Sequence, residues 1–163
     1  MAKASNIEEY HKAIKENIER DGIHLTGVYP DEKLGSPQFV YSIGAPLSDI
    51  PEMITFFPSM RTGPYILNTL FKMMRDEGLP IPTEETEVPG MLGADGEFGV
   101  ILRPIDKDSI QYETLMKEYM IGSHQLFGDP DVLQVIIPDL NGVYPDKTFC
   151  DKVVRDNTPL LFR

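Results

Sequence analysis

Three short stretches of this chain carry residue types that could do chemistry. Arg61-Thr62-Gly63-Pro64 stands where a helix should begin. A helix start presents free N–H groups and the positive end of the macrodipole, which suits an anion. Arg61 would add paired donors for a phosphate or carboxylate. On the plainer reading, Thr62 caps the helix and Arg61 is solvated. In Tyr41-Ser42-Ile43-Gly44, strand alternation puts Tyr41 and Ile43 on one face, Ser42 and Gly44 on the other. Ser42 lacks a GxSxG setting, so its hydroxyl suits hydrogen bonding to a ligand or a neighbouring strand. Asp139-Leu-Asn141-Gly142-Val-Tyr144 ends an apolar run. It reads either as turn chemistry or as polar groups gathered at a strand end.

Acid/base groups are few. The histidines are His11, His24 and His124, without HxH or HExxH spacing. No metal-ligand pattern results, and no cofactor is expected. His124, close to Asp129 and Asp131, is the histidine best suited to proton transfer, with Glu52 and Asp139 as carboxylate candidates. Asp106 and Asp108 read as helix-capping residues, and Glu84-Glu85-x-Glu87 as a solvated loop. Cys150 is the sole cysteine, so no intrachain disulfide forms.

These groups need a scaffold, and 163 residues suffice for one domain spanning 1–163 without a metal or disulfide. Net charge is −11, from 26 acidic and 15 basic residues with no Lys/Arg run, which argues against a nucleic acid polymer as partner. The start of the chain lacks an apolar signal region and no run approaches the ~20 residues of a membrane span. A cytosolic protein without membrane association is expected, and homo-oligomerisation is left open.

Ile7, Tyr10, Ile14 and Ile18 predict a helix over 6–21, with Ser5 and Glu8 as a capping box and Gly22 as its stop. Strands are expected over 24–29, 39–44, 53–57, 98–105 and 132–137. A second helix runs from Thr62 to Gly78. A third is capped by Asp108 or Ser109 and ended by Gly122. Residues 79–97 read as the least structured segment, with a hairpin turn at Ala94-Asp95-Gly96. The tail from Lys147 to Arg163 is expected as an edge strand or short helix. Consecutive strands near 24–57 favour antiparallel pairing, so the fold class is α+β: five to six mostly antiparallel strands with about three helices packed on the sheet.

Phe39-Val40-Tyr41-Ser42-Ile43-Gly44, Pro51-Glu52-Met53, Leu67-Asn68 and Leu133-Gln134-Val-Ile-Ile-Pro138-Asp139 with Gly142 and Pro145 together resemble the domain of unknown function family 4262, found in bacteria and their phages. The likeness spans roughly residues 20–147, leaving 148–163 as an extension. Two positions depart from the family pattern: Ile50 replaces a histidine before Pro-Glu, and Asp146 replaces an aromatic residue. The resemblance implies a shared fold and pocket but no activity.

The leading expectation is a non-catalytic binder of a small anionic ligand such as a nucleotide or nucleotide-derived signal, which a phage-borne member would sequester from host immunity. Its site would combine Tyr41, Ser42, Gly44, Arg61, Thr62, Asp139, Asn141 and Tyr144. A hydrolase acting on a small phosphorylated or glycosylated substrate through His124, Glu52 or Asp139 is one alternative. An acidic protein-interaction module is the other.

Overall fold

The computed structural model describes residues 2–31, 33, 37–56 and 61–159, the side chains of 2–5 apart. Six strands form one mixed sheet in the order β1-β2-β3-β6-β5-β4. They are β1 His24–Val28, β2 Phe39–Ile43, β3 Glu52–Phe56, β4 Thr86–Leu92, β5 Phe98–Pro104 and β6 Val132–Ile136. All neighbours are antiparallel except the central pair β3 and β6, which run parallel with Glu52 opposite Val132 and Ile54 opposite Gln134. The domain is α+β, as its strand order predicts.

Helices cover both sheet faces. α2 (Thr62–Asp76) buries Ile66, Leu67, Leu70 and Phe71 in a cluster with Val40, Met53, Leu133 and Val135. On the other face Ile14 of α1 (Ala2–Asp21) joins Phe39, Tyr41, Ile54 and Phe56, with Tyr112 of α3 (Ile110–Thr114) and Leu115 and Met116 just beyond it. A π-turn over Leu115–Tyr119 leads into α4 (Ile121–Phe127), and α5 (Lys152–Asp156) lies in the tail. Both faces of the central strands are therefore covered, and β2, β3 and β6 are buried at every position. Five α-helices are present among the described residues, where three were expected.

Several expectations need correcting. α1 begins at Ala2, so Ser5 lies inside the helix rather than at its cap, and the Ser5 side chain is outside the described residues, as is Phe57. Arg61, not Thr62, holds the position before α2, and the Arg61 side chain makes no capping hydrogen bond among the described residues. The 79–97 segment contains β4, an edge strand of mostly exposed residues; its Pro89, Gly90 and acidic side chains suit a strand paired on one side only. Ser109 does cap α3, its Oγ accepting from the Tyr112 N–H at 3.1 Å. Gly122 ends nothing. It lies within α4, where a Cβ would stand 2.9 Å from Ile43 Cδ1 and 3.0 Å from Tyr41 Oη. It is a glycine of close approach and not of left-handed backbone.

Candidate functional site

The expected ligand residues are divided between the two ends of the sheet and the start of α2. β2 is antiparallel to β3, with Phe39 opposite Phe56, so Ser42 and Gly44 lie toward the Glu52 end. β6 is parallel to β3, so Asp139 and the residues after it lie beyond the Phe56 end. Arg61 and Thr62 open α2, the element after β3, and line neither the depression at Asp139 nor the Glu52 cluster among the described contacts. The structure therefore does not bring these groups into one pocket.

At the first end the centre is Glu52, fully buried at the start of β3. Its Oε1 accepts from Ser42 Oγ (2.9 Å) and the Ala45 N–H (3.0 Å); its Oε2 accepts from the Gly44 N–H (3.0 Å) and Ser123 Oγ (2.7 Å). Ser42 Oγ in turn accepts from the Met53 N–H at 2.9 Å. Burial drives the Glu52 carboxyl above its ordinary range, against the pull of those donors. Tyr41 Oη accepts from the Gly122 N–H at 3.2 Å, and burial raises that phenol too. The cluster is a polar knot tying β2, β3 and α4 together, with its hydrogen-bonding capacity spent internally.

At the second end Asp139 builds its own loop. Oδ1 accepts from the N–H groups of Asn141 and Val143, both at 2.9 Å, and Oδ2 from that of Asp151 at 2.8 Å. The N–H groups of Val143 and Asp151 hold this carboxylate below its usual range. Tyr144 Oη donates to Glu87 Oε1 at 3.3 Å, and burial, with Glu87 beside it, pushes the phenol up to about 12. Asp139 and Asn141 line a depression with Phe56, Ile137, Val153 and Val154. Its walls are mainly apolar and the Asp139 oxygens are committed to backbone N–H groups.

His124, on α4, has Nδ1 2.8 Å from the Gly128 carbonyl and 3.4 Å from Asp129 Oδ1. It lines a hollow with Lys107, Ser109, Tyr112 and Lys117. Both lysines are ion-paired, to Asp131 and Glu113.

A different cavity concentrates positive charge. Where the C-terminal turns of α1 and α2 meet beside β1, a cleft of about 470 Å³ is lined by Asn17, Arg20, Asp21, Ile23, His24, Leu25, Asn68, Lys72 and Arg75. Three cations face the single carboxylate of Asp21 on a chain of net charge −11. Each guanidinium is steadied by the acid that follows it: Arg20 by Asp21 (2.8 Å) and Arg75 by Asp76 (2.9 Å). Arg75 also lies over the Phe71 ring, 4.9 Å from its centroid, and its Nη1 donates to the Asp21 carbonyl. Part of this charge serves the helix ends, where the carbonyl dipoles favour cations. Lys72 does not: it lies one turn back and makes no ion pair among the described residues, though it feels the fields of Asp21 and Asp76. Asn17 Nδ2 lies 2.8 Å from His24 Nδ1, and its Oδ1 accepts from Arg20 Nη2 at 2.9 Å. Burial lowers the His24 pKa and so favours the neutral ring, in which Nδ1 accepts from Asn17 Nδ2 and Nε2 carries the proton.

Sequence reasoning passes over this cleft. Asn68, Lys72 and Arg75 do form a stripe at helical spacing beside the buried stripe of α2, and Asn17 and Arg20 are three apart on α1. Only the packing of both helix ends against β1 makes the two stripes converge.

No curated protein matches the chain, and no solved structure does. One family profile matches residues 17–151, with the description "Domain of unknown function (DUF4262)". That span includes the cleft and the Glu52 knot and covers most of the 163 residues, and the chain belongs to this family.

Proposed function

We propose that the protein binds a small organic anion in the cleft between α1, β1 and α2. The observation that carries this is Lys72 lining one cleft with Arg20 and Arg75, with no ion pair of its own among the described residues, in an otherwise acidic molecule. His24 Nε2–H and the Asn68 carboxamide add neutral donors, and Ile23 and Leu25 supply an apolar wall. The volume of about 470 Å³ lies within the range of small-molecule pockets and exceeds what an inorganic ion fills. A nucleotide or nucleotide-derived signal fits this chemistry: phosphate for the cations, a planar body for the apolar wall.

The test uses purified protein incubated with mono-, di- and cyclic nucleotides, then filtered and heated, with chromatography at each stage. Retention followed by release of intact compound is the expected result. Lys72→Ala and Arg75→Ala should each weaken retention about 10–100-fold, the equivalent of one lost charge-assisted contact. Release of an altered compound would replace this reading with hydrolysis and bring His124 to the front. Retention unaffected by both substitutions would remove the cleft from consideration.

A further inference from the structure

We infer that the cleft takes a phosphate monoester, and that His24 gains a proton as the ester binds. This rests on the reading of the cleft as an anion site and adds the ligand's class and its coupling to pH. The argument begins with the Asn17 carboxamide, which has one donor end and one acceptor end. Its Nδ2 serves His24 Nδ1 at 2.8 Å and its Oδ1 serves Arg20 Nη2 at 2.9 Å. An imidazolium carries a proton on both nitrogens. Protonating His24 therefore turns Nδ1 from acceptor into donor, and Asn17 must rotate to present Oδ1. Rotation sets Asn17 Nδ2 against Arg20 Nη2, two donors facing each other. Arg20 Nη2 keeps its bond to Asp21 Oδ2 at 2.8 Å but loses its second acceptor, and a phosphate oxygen in the cleft replaces it.

The converse also holds. The charged groups around the cleft that His24 lines are Arg20 and Asp21 from α1 and Lys72, Arg75 and the Asp76 paired to Arg75 from α2. Tyr10 stands edge-on to the ring at 6.2 Å between centroids, and the β2 residue opposite is the apolar Ile43. Three cations against these two carboxylates leave an excess of one positive charge, and a proton on His24 raises it to two. A dianion offsets that excess of two, and a carboxylate with a single charge offsets half of it. A phosphate monoester carries about −1.5 to −2 at pH 7. Its ester group would account for the volume beyond the phosphate and for the Ile23 and Leu25 wall.

Calorimetry with adenosine 5′-monophosphate at pH 7, in two buffers of different ionisation enthalpy, tests the coupling. Binding should be accompanied by net proton uptake, seen as a buffer-dependent enthalpy. The ligand's own second ionisation, near about 6, would release protons instead, so the sign is diagnostic. His24→Gln should still bind, with affinity reduced less than about 10-fold, and show no uptake. A second readout needs no variant: saturating ligand should move the titration midpoint of the His24 ring upward by NMR. Proton release, no proton change, or uptake persisting in His24→Gln would overturn the coupling while leaving the anion site standing. Benzoate binding where adenosine 5′-monophosphate does not would overturn the phosphate assignment alone. Failure of both ligands and of inorganic phosphate to bind would remove the anion site itself.

Discussion

Glu52 shows what a buried carboxylate costs and what it organises. Four donors from Ser42, Gly44, Ala45 and Ser123 converge on it. Glu52→Ala would leave all four without their acceptor, a loss expected to exceed about 4 kcal/mol. Glu52→Gln is subtler. The new carbonyl still serves Ser42 and Ala45, and Ser123 can rotate to accept, but the Gly44 N–H then meets an N–H₂. One orphaned donor costs about 1–3 kcal/mol. Because burial raises the folded-state pKa of Glu52, its stabilising contribution is complete below the unfolded-state value and is lost as pH rises through the folded one. The gap between wild type and Glu52→Gln in urea denaturation should therefore be largest in mild acid and shrink toward neutrality. A gap that widens with pH would contradict this account.

Elements explain both what the sequence disclosed and what it hid. Strand positions were legible because β2 and β6 are largely apolar runs, each with one polar residue, bounded by glycine or proline, and α2 has a clean apolar stripe. β4 was hidden because only Val88 is buried on it. The α3–α4 region misled because glycine serves two purposes. Gly122 looked like a helix stop, yet it lets α4 approach Tyr41 and Ile43. Gly122→Ala sets two effects against each other: alanine favours the helix by about 1 kcal/mol, while forcing a methyl into a contact this close costs about 1–3 kcal/mol. The neighbours are a buried phenol and a buried isoleucine held in the core, so we expect net destabilisation, measured by thermal or urea unfolding. As for the candidate site, Tyr41, Ser42 and Asp139 stood out in the sequence because they flank apolar strands. That same placement buries them in the fold's own hydrogen bonds.

Across the whole molecule, the cleft is a small positive region within a negative field. At about 0.01 M ionic strength the Debye length is about 30 Å, so an approaching dianion meets the repulsion of the entire chain. At about 0.15 M it is about 8 Å, and the nearby Arg20, Lys72 and Arg75 dominate. Stopped-flow association of a nucleoside monophosphate should therefore accelerate from about 10 mM to 150 mM salt and slow again as screening reaches the cleft cations. A rate falling monotonically from the lowest salt would show that the ligand enters through some other, uniformly positive surface. As to membranes, no helix among the described residues is long and apolar enough to cross one.

The parallel pairing of β3 with β6 also bears on how the chain reaches its native state. β1 to β3 form a local meander, and β4 with β5 a hairpin; each can be made from neighbouring residues. β6 is synthesised after both, yet it belongs between them, with β3 on one side and β5 on the other. Joining Glu52 to Val132 closes a long loop, the kind of non-local contact that slows folding. Until β6 arrives, β3 and β5 each present an unpaired inner edge, and a nascent chain carries two exposed strand templates at once. The last strand thus acts as a keystone: the sheet has no continuous core before it is inserted, and the same insertion removes both sites of mispairing.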